Sequence, residues 1–218
     1  MNVGTPVLNG FCHSVYTWSA RIALVEKGVD YAYEEINPFN PDEAERGRLL
    51  HPFLRVPVLL HGGAKLFETV AILTYVDEAF EGPSLMPENG LARARAVQVM
   101  SITDAYVYKP LVRQVFSHGC YRALMGHECD PDVLRQGLNT APVVLDALEE
   151  IAVEGLALKP GQAGLAEGHL FSQLDYFAMV REGRELLRMR PALRAWFDAM
   201  AERQAVIATR PNLMKGLE

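Results

Sequence analysis

Cysteine is scarce in this chain: three residues in 218, at positions 12, 120 and 129. An odd, small number of thiols builds no disulfide framework, so a reducing cytoplasm is the expected compartment. The paired Cys-x₂₋₄-Cys spacing of structural zinc is missing too. His118-x-Cys120 and His127-x-Cys129 offer the right ligand types at the wrong spacing, and no metal is expected. Basic charge is in deficit, with 21 Lys and Arg against 27 Asp and Glu, a net charge of -6 and a pI near 5.6. A nucleic-acid partner wants a basic face, so that class is set aside. No apolar run approaches the roughly 20 residues of a membrane-spanning helix. The start, Met1-Asn2-Val3-Gly4, lacks a basic-then-apolar signal, so no membrane association is expected. Repeats and low-complexity segments are absent. What remains is 50% hydrophobic and 22% charged, ordinary for a globular protein with room for two small domains or one large one.

The strand signals all fall early. Thr5 to Gly10 can form a first strand, followed by a loop, Phe11 to Thr17, and a helix from about Trp18 to Lys27 that Gly28 ends. Tyr31 to Ile36 reads as a second strand, which would make a right-handed βαβ unit with parallel strands. Asn40-Pro41-Asp42-Glu43 is a helix start, with Asn as cap, Pro in the first turn and Glu three residues after the cap. That helix should run to about Leu50 and stop before Pro52. Then Arg55-Val56-Pro57-Val58-Leu59-Leu60 gives a third strand, Gly62-Gly63 a tight turn, Ala64 to Phe67 a fourth strand, and Thr69 to Phe80 a helix.

Past Glu81-Gly82-Pro83-Ser84, a linker signal, nothing reads as a strand. Leu91 to about His118 is a long helical pattern that Pro110 should kink near Tyr106. Asp130-Pro131-Asp132 opens a second long helix, to about Val153, and Gly155 to Gly168 is loop-rich. Ser172-Gln173-Leu174-Asp175, between Phe171 and Tyr176, has the form of a Ser-x-x-Asp capping box with a hydrophobic staple, expected to head a central helix. Pro191 to about Ala205 reads as an amphipathic helix with Leu193, Trp196, Phe197 and Met200 inward, and the tail from Arg210 as irregular.

The stretch around Val56-Pro57 carries the functional argument. Proline suits a strand's first residue, and X-Pro is the junction at which a cis bond is cheap. A cis bond at Val56-Pro57 would turn the Val56 N–H and C=O outward, free to pair with an extended peptide-like ligand. Glu68 and Thr69, at a helix start, add unpaired N–H groups and a helix dipole for a carboxylate, and a side chain for an amine. Glutathione carries all three complementary groups. Val56-Pro57, with Glu68-Thr69 twelve residues beyond Val56, resembles the glutathione site of the glutathione S-transferase family.

That resemblance implies an α+β architecture: a thioredoxin-like N-terminal domain (β-α-β-α-β-β-α) over residues 1–81 and an all-α C-terminal domain over 88–218. It implies glutathione as co-substrate, a small hydrophobic electrophile as partner, and a homodimer. Ser14-Val15-Tyr16-Thr17-Trp18, leading into Arg21 and a small-apolar helix, is similar to the family's serine-type pattern, which makes Ser14 the hydroxyl that activates the glutathione thiol. Val15 stands where proline is common, and Tyr16 and Thr17 are competing donors. Arg55, Val56, Pro57, Glu68 and Thr69 carry over as glutathione-binding residues. Phe11, Val15, Tyr106 and Phe116 are candidate walls of an electrophile pocket. Cys12, two residues before the active position, is expected to be a small buried hydrophobe. The implied activity is glutathione conjugation. Glutathione-dependent isomerisation or dehalogenation is the alternative enzyme reading, and a non-catalytic binding protein that has kept the fold is the alternative of another class.

Overall fold

The computed structural model describes residues 4–214, which divide into two compact units, one of residues 4–85 with 204–214 and the other of residues 86–203. The first is built on β1 (Val7–Gly10), α1 (Val15–Lys27), β2 (Ala32–Glu35), a 3₁₀ turn at Pro41–Glu43 running into α2 (Ala44–Leu50), β3 (Val58–His61), β4 (Ala64–Phe67) and α3 (Thr69–Ala79). The strands lie in the order β2-β1-β3-β4, with β1 parallel to β2 and the other pairs antiparallel. This is the thioredoxin-like arrangement expected. Leu8 and Leu59 from the sheet, Ile22 and Leu24 from α1, and Ile72, Leu73 and Val76 from α3 are all buried, so α1 and α3 form the helical layer over its core.

Lys27, in the last turn of α1, meets Asp77 of α3 at 2.9 Å, and both side chains are about 95% hidden from solvent. Buried charges are tolerated when every hydrogen-bonding position is used. Here Asp77 also accepts from the Leu85 N–H at 2.8 Å, and Lys27 also donates to the Pro83 carbonyl at 3.0 Å. Residues 83–85 are therefore latched onto the first unit. Gly82, at φ +133, lies so close to the Lys27 carbonyl that a Cβ would meet it at 2.3 Å.

The second unit is helical throughout its regular structure: α4 (Gly90–Ile102), a π-helical segment (Thr103–Tyr121), a closing turn α5 (Arg122–Leu124), α6 (Pro131–Glu154), α7 (Leu165–Met179), α8 (Arg181–Arg188) and α9 (Pro191–Ala201). Asn89 and Asp130 cap α4 and α6 with their side chains, and Gly155 ends α6 in the left-handed conformation. α7 is buried on every side from Leu165 to Phe177, as a central helix must be.

Three local expectations are corrected, and the Pro110 segment is given its hydrogen-bonding form. The first helix starts at Val15, three residues early, because Ser14 caps it. At Pro110 the chain stays helical by widening to π-type hydrogen bonding from Thr103 onward; the Arg122 N–H, for example, bonds the Ser117 carbonyl. The wider ring relieves the clash between a proline ring and the carbonyl one turn back. Ser172 and Asp175 do not head a helix. They lie inside α7, which starts at Leu165 and carries Ser172 as a buried hydroxyl donating to the His169 carbonyl at 3.0 Å. All-round burial extends the helix past the local capping signal, and Glu167, at its first turn, accepts instead from the Leu158 N–H at 3.2 Å. Finally, the helix from Pro191 stops at Ala201, and α10 (Gln204–Thr209) returns to pack against α1 within the first unit.

Candidate functional site

The sheet register gathers the candidate residues at one end of the first unit. Gly10, the last residue of β1, pairs with Glu35 at the end of β2. Asn9 pairs with Val58, the first residue of β3, and Val58 pairs with Phe67, the last of β4. The loop after β1, the Val56-Pro57 junction before β3 and the Glu68-Thr69 junction after β4 therefore leave the sheet at the same edge. The N-termini of α1 and α3 follow two of these junctions directly.

The loop after β1 is tightly built. A Cβ on Gly10 would lie 2.3 Å from the Thr17 methyl, so glycine lets the strand end press against α1. Thr17 is buried, and its Oγ1 accepts from the Phe11 N–H at 3.3 Å, so this hydroxyl sits beneath the loop. Cys12 donates its N–H to Glu35 Oε1 at 2.8 Å, and the other Glu35 oxygen accepts from the Tyr33 hydroxyl at 2.9 Å. Burial first, then Glu35, pushes the Tyr33 pKa upward, so Tyr33 keeps its proton for that bond. Cys12 itself is half exposed and in no disulfide, a correction to the buried position expected, since Thr17 rather than Cys12 is the loop side chain that is buried.

Ser14 closes the loop. Its N–H bonds the Phe11 carbonyl at 2.9 Å, its backbone is extended, and its Oγ accepts from the Thr17 N–H at 3.2 Å. A serine hydroxyl has one proton to give and two positions to accept. With Thr17 feeding one acceptor position, the proton remains available for a group outside the helix, and the N–H it accepts polarises it. Ser14 thus caps α1 and still has a donor left at a helix N-terminus. Tyr16, half buried, is on the first turn of the same helix.

Val56-Pro57 is a cis peptide, as expected. Val56 is half buried, Pro57 is buried and Arg55 is exposed. Glu68 adopts φ 68 and ψ 120, a region that residues with a side chain rarely occupy, and no side chain caps α3. Backbone held in such a conformation is a pointer to function. The first-turn N–H groups of α3 have no partner within the helix, and Thr69 is buried behind them. The Glu68 side chain is 68% exposed, with Oε1 3.9 Å from Nε2 of the buried His51. His51 Nδ1 accepts from the Phe53 N–H at 3.1 Å, so the neutral ring carries its proton on Nε2, facing Glu68. Burial is the main cause that holds the His51 pKa below the ordinary histidine value. Neither His51 nor Glu35 was singled out from the sequence.

Of the apolar candidates, Phe11 is half buried beside His13 and Phe39, with ring centroids at 5.0 and 6.0 Å. Val15 is buried in α1. Tyr106 and Phe116 belong to the helical unit, where Tyr106 is exposed and Phe116 is buried with its ring centroid 4.4 Å from that of Tyr176. Among the described residues, no three His, Cys, Asp or Glu side chains are grouped closely enough to hold a metal ion.

Residues 8–84 match the family model of the glutathione S-transferase N-terminal domain. Glutathione S-transferase F10 of Arabidopsis thaliana is 26% identical over 189 residues, spanning 85% of this chain and 87% of the plant protein. Maleylacetoacetate isomerase of Rattus norvegicus is 34% identical over a shorter stretch of 114 residues, 51% of this chain and 52% of the rat protein. Among solved structures, glutathione S-transferase III in its apo form superposes with a TM-score of 0.79 at 24% identity, over 94% of this chain and 95% of that one. The domain match takes in the Ser14 loop, the cis Val56-Pro57 and the Glu68-Thr69 helix start, and the plant relative is similar over most of the rest: residues 8–84 match the N-terminal domain of the glutathione S-transferase family, and the chain as a whole has the fold of its solved members.

Proposed function

We propose that this transferase activates the thiol of glutathione with Ser14 and delivers the thiolate to a small hydrophobic electrophile. The observation that carries the reading is the Ser14 hydroxyl, which accepts from the Thr17 N–H and so keeps its own proton for the sulfur. A hydrogen bond to a charged group contributes about 1.5–3 kcal/mol, which lowers the thiol pKa by about one to two. The N-terminus of α1 favours the anion further. Val56 supplies main-chain pairing for the tripeptide, Glu68 binds its amine, and the α3 N-terminus at Thr69 binds the adjacent carboxylate. Arg55, exposed on the same edge, takes the glycyl end. Phe11 lends apolar surface beside the loop. The thiolate sulfur forms a bond to the electrophile's carbon, and the leaving group departs with its electron pair.

Replacing Ser14 by Ala should slow conjugation of a chlorinated nitroaromatic by about 10²–10³, the usual cost of losing one positioned donor to an anion. The pKa of the bound thiol, read from thiolate absorbance, should rise with it. A silent Ser14→Ala beside an inactive Tyr16→Phe would move the activating hydroxyl two residues along. The match to the isomerase favours a second reading, glutathione-dependent isomerisation of a cis-alkene diacid, and assays on both substrate classes decide between them.

We also propose a cytoplasmic homodimer. Phe39, Leu49 and Phe53 are 67, 73 and 70% exposed and all lie between β2 and β3, apolar side chains that a partner subunit would cover. Sedimentation equilibrium at micromolar concentration should give twice the chain mass; a monomer would contradict the proposal.

A further inference from the structure

The connection between the π-helical segment and α6 carries two thiols that the transferase chemistry leaves unused. Cys120 lies near the end of the helix and is partly buried, Cys129 lies in the irregular stretch before α6 and is exposed, and both are free. Three hydrogen bonds fold this stretch back along the helix. The Asp130 N–H donates to His118 Nδ1 at 2.9 Å, the His127 N–H to the Arg122 carbonyl at 2.7 Å, and Arg122 Nε to the Glu128 carbonyl. Residue 130 is thus tied at 118, and residues 127 and 128 at 122. Cys129 lies between the tied residues on one side, and Cys120 midway between the two tie points on the other.

We propose that Cys120 and Cys129 form a reversible intramolecular disulfide, made by exchange with a small disulfide such as oxidised glutathione. The Cys129 thiolate, the exposed one, attacks a sulfur of oxidised glutathione. A mixed disulfide forms and one glutathione thiolate leaves. The Cys120 thiolate then attacks the Cys129 sulfur, closing the protein disulfide and expelling the second glutathione. Two protein thiols are oxidised, one small disulfide is reduced to two thiols, and two protons are released by the cysteines and taken up by the glutathione. Burial raises the Cys120 thiol pKa, and the Cys129 charge raises it further. Backbone adjustment to disulfide geometry falls on residues 125–129, which have no regular helix or strand and include Gly126 at φ 73. Disulfides of this kind in a reducing compartment are transient and redox-sensing. The proposal is independent of how Ser14 acts.

The test uses the full, folded chain. Reduced protein is incubated with oxidised glutathione, free thiols are blocked with iodoacetamide, and the product is digested with trypsin and read by mass spectrometry. Cleavage after Arg113, Arg122 and Arg135 puts the two cysteines on separate peptides, 114–122 and 123–135. The expected result is those peptides joined by a disulfide, with the intact mass lower by two hydrogens and Cys12 alkylated. Cys120→Ser should stop at a glutathione adduct on Cys129, and Cys129→Ser should abolish the joined pair. Wild-type protein that stays reduced, stops at the adduct, or cross-links through Cys12 overturns the proposal.

Discussion

At the scale of single residues, the site depends on side chains that hold others in place. Glu35 shows this: one carboxylate oxygen fixes the loop at Cys12 and the other is held by Tyr33. Its position opposite Gly10 is set by parallel pairing with β1, which periodicity in a four-residue strand does not reveal. His51 is similar, since only the fold buries it between Phe53, Phe67 and Glu68. It makes a pH prediction. The folded protein binds a proton at His51 less readily than the unfolded chain, chiefly because of burial, so its folded pKa is depressed. Protonation therefore favours unfolding. The stability that His51 contributes is complete above the unfolded value near 6.5 and declines as pH falls through it toward the lower folded value. His51→Asn keeps an acceptor for the Phe53 N–H and removes the titration. From about pH 7.5 to about pH 5.5, the urea midpoint of the wild type should fall further than that of the variant. Parallel curves would mean that His51 does not titrate in this window.

At the scale of elements, local signals were legible where they act locally. Asn40, Asp130, Gly28 and Gly155 all do at helix ends what their residue types predict. Val56-Pro57 and the β4–α3 junction were readable for the same reason. Ser172-x-x-Asp175 misled because the burial of α7 comes from its neighbours and overrides a four-residue signal. The π-helical segment was equally invisible, since proline alone does not say whether a helix breaks or widens. Its contact with α6 yields a second prediction. Gly137 of α6 is buried so closely against the segment that a Cβ would lie 2.7 Å from the Pro110 carbonyl oxygen and 2.8 Å from atoms of Gln114 and Val115. Alanine would gain about 1 kcal/mol in helix propensity. Overpacking costs about 1–3 kcal/mol, and the upper end applies because one neighbour is backbone that cannot rotate away. Gly137→Ala should therefore destabilise the protein by about 2 kcal/mol net. A rise in the urea midpoint would show that the two helices separate more easily than their packing suggests.

At the scale of the whole molecule, the first unit is not a continuous piece of chain. α10 returns from the far end of the sequence to cover α1, a pairing 191 residues apart that no local pattern announces. The contact is specific. Trp18, 1% exposed, donates its indole N–H to Thr209 Oγ1 at 3.0 Å, and Ala205 and Val206 are buried beside it in α10. Arg210 lies over the Trp18 ring, 5.7 Å from its centroid. Ending the chain at Arg203 would uncover Trp18 and leave its N–H without the Thr209 acceptor. Burying one valine contributes about 1.5–3 kcal/mol, and an orphaned buried donor costs about 1–3 kcal/mol. With the exposed face of Trp18 added, the loss is several kcal/mol, against a total stability of about 5–15 kcal/mol for a typical domain. The truncated chain should keep its helical unit but lose cooperative unfolding of the first one, and with it retention on immobilised glutathione. In a Trp196→Phe background Trp18 is the sole tryptophan, so its emission should shift to the red on truncation. Thr209→Val, which keeps the shape and removes the acceptor, should cost only about 1–3 kcal/mol and leave binding intact. If the truncated protein retained blue emission and full glutathione binding, α10 would be an accessory to the first unit and α1 would hold Trp18 in place without it.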